Sequence, residues 1–291
     1  MTKVTGWIRL FRINEWVKNG FVLLPLVFSG QLFNIHADAR LFVTLMLFCF
    51  AASAVYIFND IHDVEQDRLH PKKSKRPIAS RSISVSAAWK ACVIIVTFVV
   101  AIAFTFDSVI GYLLVTYLVV NVFYTYILKH ISVVDVFAVT SGFVIRLVAG
   151  AESIQVNLSE WIVIMTVVLS LFLALSKRRS DVLTYLKDGT RRRKSVDGYT
   201  LEFLNASIAV LASVCIVAYL MYTISGETIS RLGSQYVYLT FIFVLLGIIR
   251  YLQALFEVEE SSPVEIFYND RVIQLSIVAW LATLGAFIYL V

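Results

Sequence analysis

Apolar residues in this chain run in long unbroken blocks, and polar residues collect in the gaps between them. Set against the roughly 17–25 apolar residues a helix needs to cross a bilayer, nine blocks qualify: 20–35, 41–59, 88–106, 109–128, 133–151, 160–177, 203–224, 235–256 and 271–291. The first contains Pro25 and Gly30 and tapers into Gln31 and Asn34, so it is expected to be short, tilted or broken. Continuous runs exclude the two-residue alternation of a membrane β-barrel. The pattern predicts an all-α integral membrane protein, a bundle of nine transmembrane helices forming one domain over residues 1–291.

Composition agrees. The chain is 59% hydrophobic with a mean hydropathy of +0.81, beyond the roughly 45–50% apolar content of soluble domains. With nine spans drawn, only Arg40 and Arg231 fall on the far side from the N-terminus, and Arg146 falls within a span; the rest of the 25 Lys and Arg share the N-terminal side. An even number of spans would scatter them. This bias puts the N-terminus and the charged loops in the cytoplasm of a cell, or inner, membrane. Lipid headgroups account for Lys187 and the run Arg191 to Lys194. Nucleic acid is a poor partner, because nothing outside the spans is large enough to fold as a binding domain. Cys49, Cys92 and Cys215 lie in apolar runs without metal spacing. Residues 7–18 form a basic amphipathic segment with Trp7 and Trp16 as interface anchors, not a cleavable signal.

The richest chemistry follows the second span, in Asn59-Asp60-Ile61-His62-Asp63-Val64-Glu65-Gln66-Asp67. If the helix continues, Asn59, Asp63 and Asp67 share a face and Asp60 borders it, so oxygen ligands converge. Such a set suits Mg2+, which takes one or two carboxylates and completes its shell with water and substrate phosphates. Lys72, Lys73 and Arg76 follow closely as phosphate contacts. A solvated helix cap is the bland alternative. A second constellation runs from Tyr124 through Lys129 and Asp135 to Arg146. Asp135 and Arg146 are eleven residues apart and share a helical wall, but are about 16 Å apart along the axis, so each needs a partner of its own. The third is Lys177-Arg178-Arg179-Ser180-Asp181, just after the sixth span. These cations either complement a helix C-terminus or, with the acidic loop, enclose an anionic substrate. For Asp270-Arg271, ordinary helix capping suffices.

Nine spans, an N-D-x-x-D-x-x-x-D block after the second and a Tyr-to-Lys block after the fourth resemble the UbiA superfamily of intramembrane prenyltransferases. Trp16-Val17-Lys18-Asn19, Asn59 to Arg68 with Arg76-Pro77-Ile78-Ala79, Tyr124 to Gly150 and Lys177-Arg178-Arg179 are similar to its phosphoribosyl-transferring branch, which makes a polyprenyl phosphoribose precursor of cell-wall arabinose. Most members carry a second Asp-rich loop after the sixth helix. Cations stand here instead, which implies direct grip on phosphate.

The resemblance implies a UbiA-like fold and a Mg2+ ion held by Asn59, Asp60, Asp63 and Asp67, the four expected catalytic residues. The implied donor is phosphoribosyl diphosphate and the acceptor a polyprenyl (decaprenyl) phosphate in the membrane. Lys18, Asn19, Lys72, Lys73, Arg76, Tyr124, Lys129, Asp135, Arg146, Lys177, Arg178 and Arg179 form the expected substrate-binding set. Assembly as a homo-oligomer stays open. Two other readings remain: a prenyltransferase acting on an aromatic acceptor for quinone or haem synthesis, and a transporter, which the one-sided charge distribution disfavours.

Overall fold

A computed structural model describes residues 3–29, 35–69, 73–188, 194–257 and 263–289, and all regular structure among them is helical. In chain order the α-helices are α1 (Lys3–Phe11), α2 (Leu24–Ser29), α3 (Ile35–His62), α4 (Val64–Leu69), α5 (Val85–Phe106), α6 (Ser108–Tyr126), α7 (Val134–Ser153), α8 (Glu160–Asp188), α9 (Leu201–Ile224), α10 (Gly226–Leu232), α11 (Phe241–Glu257), α12 (Pro263–Asn269) and α13 (Arg271–Tyr289). Eight helices among the described residues are long and apolar enough to cross a membrane, matching the second to ninth expected spans. The first block is instead broken into a 3-10 segment, Ile13–Leu23, and the short α2. Pro25 sits in the first turn of α2, where its missing N–H is no loss.

The chain divides into two compact units. The first comprises residues 1–26, 31–126 and 145–156; the second comprises 27–30, 127–144 and 157–291. In the first unit α3 is the central helix, and the buried run Ala51-Ala52-Ser53-Ala54 lets its neighbours approach closely. A 3-10 segment of eleven residues is long for that geometry and needs tertiary anchors. It has them on α3: Trp16 Nε1 donates to Ser53 Oγ at 3.0 Å, and Asn19 Nδ2 to Cys49 Sγ at 3.3 Å. The turn 76–83 is pinned by Ile78 and Ile83, which pack with Leu10, Ala54, Ile57, Ile61, Ala88 and Cys92. Burying one such isoleucine is worth about 2 kcal/mol, enough to hold the polar side chains of that turn in register.

In the second unit α8, α9, α11, α12 and the start of α13 surround a core that includes Phe172, Leu175, Leu204, Ile208, Tyr251 and Leu255. Asp270 caps α13, accepting from the backbone N–H groups of Val272 and Ile273 at 2.9 and 3.0 Å, while Arg250 Nε reaches its other oxygen at 2.8 Å. Burial opposes ionisation of Asp270, but these donors win and hold its pKa below the ordinary aspartate value.

Gly150 of α7 lies against the backbone of Val22, and a Cβ there would overlap the Val22 carbonyl oxygen. Gly150→Ala is therefore expected to destabilise the protein by about 1–3 kcal/mol. Gly285→Ala, in open space on α13, is expected to be neutral or stabilising, and thermal unfolding of the two detergent-purified variants makes the comparison. For Asp270, a lowered folded pKa means its stabilisation is complete above the unfolded value and lost as pH falls through the folded one. Asp270→Asn keeps a capping oxygen, so its stability deficit is expected near neutral pH and should vanish in acid; a deficit independent of pH would refute the charge argument.

Candidate functional site: two ionic clusters at helix ends

The acidic block begins inside α3 and continues into α4 with only a nominal break at Asp63. Asp63 N donates to Asn59 O at 2.9 Å and Asp67 N to Asp63 O at 2.8 Å, so the i to i+4 ladder runs through the junction. Asn59, Asp63 and Asp67 thus stay on one helical face, as the spacing predicts. Asp60 and Asp67 are each only 2% exposed, while Asn59 and Asp63 are half-buried, so the block is not a solvated cap.

Buried carboxylates need partners, and arginines supply them. Arg76 Nη1 bridges the two acids, donating to Asp60 Oδ1 at 3.0 Å and Asp67 Oδ2 at 2.7 Å. Arg12 Nη2 donates to the same Asp60 Oδ1 at 2.5 Å, with its guanidinium 4.9 Å from the centre of the Tyr56 ring. Lys73 Nζ lies 3.9 Å from Asp67 Oδ1. Asn59 Oδ1 accepts from the Thr125 hydroxyl, so the block beginning at Tyr124 reaches the acids through Thr125. Tyr124 itself is half-buried near the end of α6. Lys72 lies outside the described residues.

The donor set can be tested against a hard cation. Every candidate ligand atom is oxygen, and two carboxylate oxygens already converge on one positive nitrogen. Among the described residues, however, no three His, Cys, Asp or Glu form a complete metal cage. The set fits an ion that takes one or two carboxylates from the protein and the rest of its shell from substrate phosphate and water.

Elsewhere in the first unit, Arg146 is 7% exposed and is held by polar side chains. Its Nε donates to Asn19 Oδ1 at 2.6 Å and its Nη2 to Tyr117 Oη at 2.9 Å, and the guanidinium lies over the Tyr117 ring. Lys18, one residue from Asn19, pairs with Glu15 and feels the charge of Arg146. Burial disfavours the Lys18 ammonium, but Tyr56 and Glu15 outweigh it and its pKa stands above the ordinary lysine value.

The second unit carries the other cluster. Residues 177–181 are not a loop: α8 runs on to Asp188, since no Gly or Pro interrupts it and Arg178 and Arg179 are fixed by tertiary bonds. Arg178 and Arg179 are 4% and 7% exposed. Arg178 donates to Asp135 Oδ2 at 2.6 Å and Asp181 Oδ2 at 3.1 Å; Arg179 donates to Asn205 Oδ1 and to the Leu255 carbonyl, both at 2.8 Å. Asp135 is fully buried and also accepts from Tyr199 Oη at 2.6 Å and Ser195 Oγ at 3.1 Å. Burial and the Asp135 carboxylate push the Tyr199 phenol well above its ordinary value, so it remains a donor. Asp135 and Arg146 accordingly find separate partners, as their axial separation requires. Lys177 is more open, with Nζ 3.7 Å from Asp181 Oδ1, and Lys129 is half-buried in the 3-10 turn Leu128–His130.

Arg12, Tyr117, Thr125, Ser195 and Tyr199 were not among the expected site residues. No periodicity links residue 12 to residue 60 or residue 199 to residue 135; only the tertiary fold brings them together. Charge offered a partial signal for Arg12, which otherwise counts only toward orientation.

These features define a polytopic helical membrane protein with ionic clusters built into the ends of its spans. The chain belongs to the UbiA prenyltransferase family, whose family model matches residues 22–268. It is 32% identical to the decaprenyl-phosphate phosphoribosyltransferase of Mycolicibacterium smegmatis over 98% of this chain and 93% of that protein. The protein of the same name from Mycobacterium tuberculosis is 31% identical over 97% and 94%. The fold is that of a solved UbiA homolog from Archaeoglobus fulgidus bound to GPP and Mg2+, with TM-score 0.73, 18% identity, and coverage of 97% of this chain and 99% of that one. The protein is a membrane transferase enzyme of this family.

Arg178 closes a buried network, whereas Lys177 is partly exposed beside Asp181. Arg178→Ala is expected to cost about 3–5 kcal/mol and to show as loss of monodisperse protein. Lys177→Ala is expected to cost less than about 1 kcal/mol. Matching size-exclusion profiles and melting temperatures for the two would contradict this division.

Proposed function

We propose that the protein transfers the 5-phosphoribosyl group of phosphoribosyl diphosphate to a polyprenyl phosphate, as a step toward cell-wall arabinose. The observation that carries this reading is its similarity, over nearly its whole length, to decaprenyl-phosphate phosphoribosyltransferases. The partly exposed Lys177, on a stretch of α8 held in place by Arg178 and Arg179, supports a substrate phosphate in addition to the donor diphosphate.

In this mechanism Asp60 and Asp67, with Asn59 and Asp63 on the same helical ladder, would hold a Mg2+ ion for the donor diphosphate. When bound, that ion neutralises charge on the leaving group. Arg76 and Lys73 supply N–H donors for phosphate oxygens, and Lys72 belongs to the same segment. The C1–O bond to diphosphate breaks as an oxygen of the acceptor phosphate bonds to C1, inverting that carbon and releasing diphosphate. The acceptor phosphate, with a second ionisation near pH 6, arrives anionic and requires no general base. Catalysis is then mainly positioning and charge stabilisation. Lys18, Asn19, Tyr124 and Arg146 are assigned to phosphate or ribose contacts in the first unit; Lys129 and Lys177 are assigned to phosphate in the second. Asp135 holds Arg178, and Arg179 is tied to α9 and α11, so these three shape the surroundings of Lys177. The site is assigned to the cytoplasmic face of the cell membrane.

Purified protein incubated with ribose-labelled phosphoribosyl diphosphate, Mg2+ and a polyprenyl phosphate is expected to move label into organic solvent. EDTA should abolish the transfer, and Asp67→Asn should lower the rate by about 100-fold or more with an unchanged elution profile. Label that stays aqueous, while a labelled prenyl diphosphate reacts with an aromatic acceptor, would replace this reading by prenyl transfer.

A further inference from the structure

The acidic block already has its countercharge. Asp60 and Asp67 are buried, and the two guanidiniums of Arg12 and Arg76 neutralise them through direct bonds. Arg76 Nη1 lies between Asp60 Oδ1 and Asp67 Oδ2, the position a ligated cation would take if it drew on the same two oxygens. A bare dication entering this cluster would meet two arginines at short range and would have to displace one of them. In a medium of low effective dielectric such uncompensated charge is costly. A divalent ion already complexed to diphosphate carries net negative charge and offers Arg76 new oxygen acceptors as the carboxylates turn to the metal.

We propose that Arg76 is an exchange residue: it holds the Asp60 and Asp67 oxygens in the substrate-free enzyme and passes to the donor's diphosphate when metal and donor enter together. The metal is thereby barred from binding tightly alone, and donor and metal load as one unit. Arg12 serves as the fixed member of the pair. It is stacked on Tyr56 and keeps Asp60 oriented while Arg76 moves. The turn that carries Arg76 suits this division, because Ile78 and Ile83 anchor its backbone while the Arg76 side chain stays 28% exposed. This inference rests on the reading that the cluster receives a diphosphate donor, but it does not depend on which group that donor transfers.

The test is Mn2+ binding to the purified full-length protein, read by electron paramagnetic resonance of the free ion, with and without inorganic pyrophosphate. In the wild-type protein, pyrophosphate is expected to tighten Mn2+ binding by at least about tenfold, beyond the affinity of pyrophosphate for Mn2+ in solution. Arg76→Gln is expected to bind Mn2+ alone about tenfold more tightly than wild type and to lose most of the pyrophosphate coupling. Equal Mn2+ affinity in wild type with and without pyrophosphate would overturn the proposal, a result that needs no variant to fold. So would an Arg76→Gln protein that elutes normally and binds Mn2+ no better than wild type. Failure of phosphoribosyl transfer in the product assay, with the Mn2+ coupling intact, would remove only the choice of donor.

Discussion

A carboxylate removed from water must find a cation close by, and the two polar clusters of this protein are organised by that requirement. An unpaired buried acid costs several kcal/mol, more than any single apolar contact in the bundle returns. Asp60 and Asp67 meet it with Arg12 and Arg76; Asp135 and Asp181 meet it with Arg178. In each cluster one guanidinium joins two carboxylates, and in each the arginine comes from a segment whose backbone is fixed by apolar packing or by helix.

The pairings differ in what they leave available. Arg76 is partly exposed on an anchored turn. Arg178 is enclosed, and its bonds tie α8 to α7, with Tyr199 and Ser195 closing over the same carboxylate. Side chains of one chemical type therefore differ sharply in burial: Arg76 is 28% exposed and Arg178 only 4%. Arg146 belongs with neither; Asn19 and the hydroxyl and ring of Tyr117 hold it inside the first unit.

Much of this was legible beforehand because the bilayer restricts what a chain can do. Long apolar blocks have to be helices, so the second to ninth spans follow from hydropathy, and the ladder from Asn59 to Asp67 follows from helical period. The first block was harder to read. Pro25 and Gly30 signalled a break, but the 3-10 segment Ile13–Leu23 depends on contacts with α3 that no local pattern reveals. The stretch Lys177 to Asp181 misled in another way. Charge suggested a loop, whereas no Gly or Pro breaks the stretch and α8 simply continues.

What the sequence by itself determined is the helical membrane class, the family and the identity of the acidic block, because periodicity and short-range spacing are properties of neighbours along the chain. What only the tertiary structure decided is which cation answers which acid: Arg12 and Arg76 for Asp60, Arg76 for Asp67, Arg178 for Asp135. Those choices join residues 9 to 48 positions apart. An ion pair is set by distance and burial in space, and no regularity along the chain encodes either one.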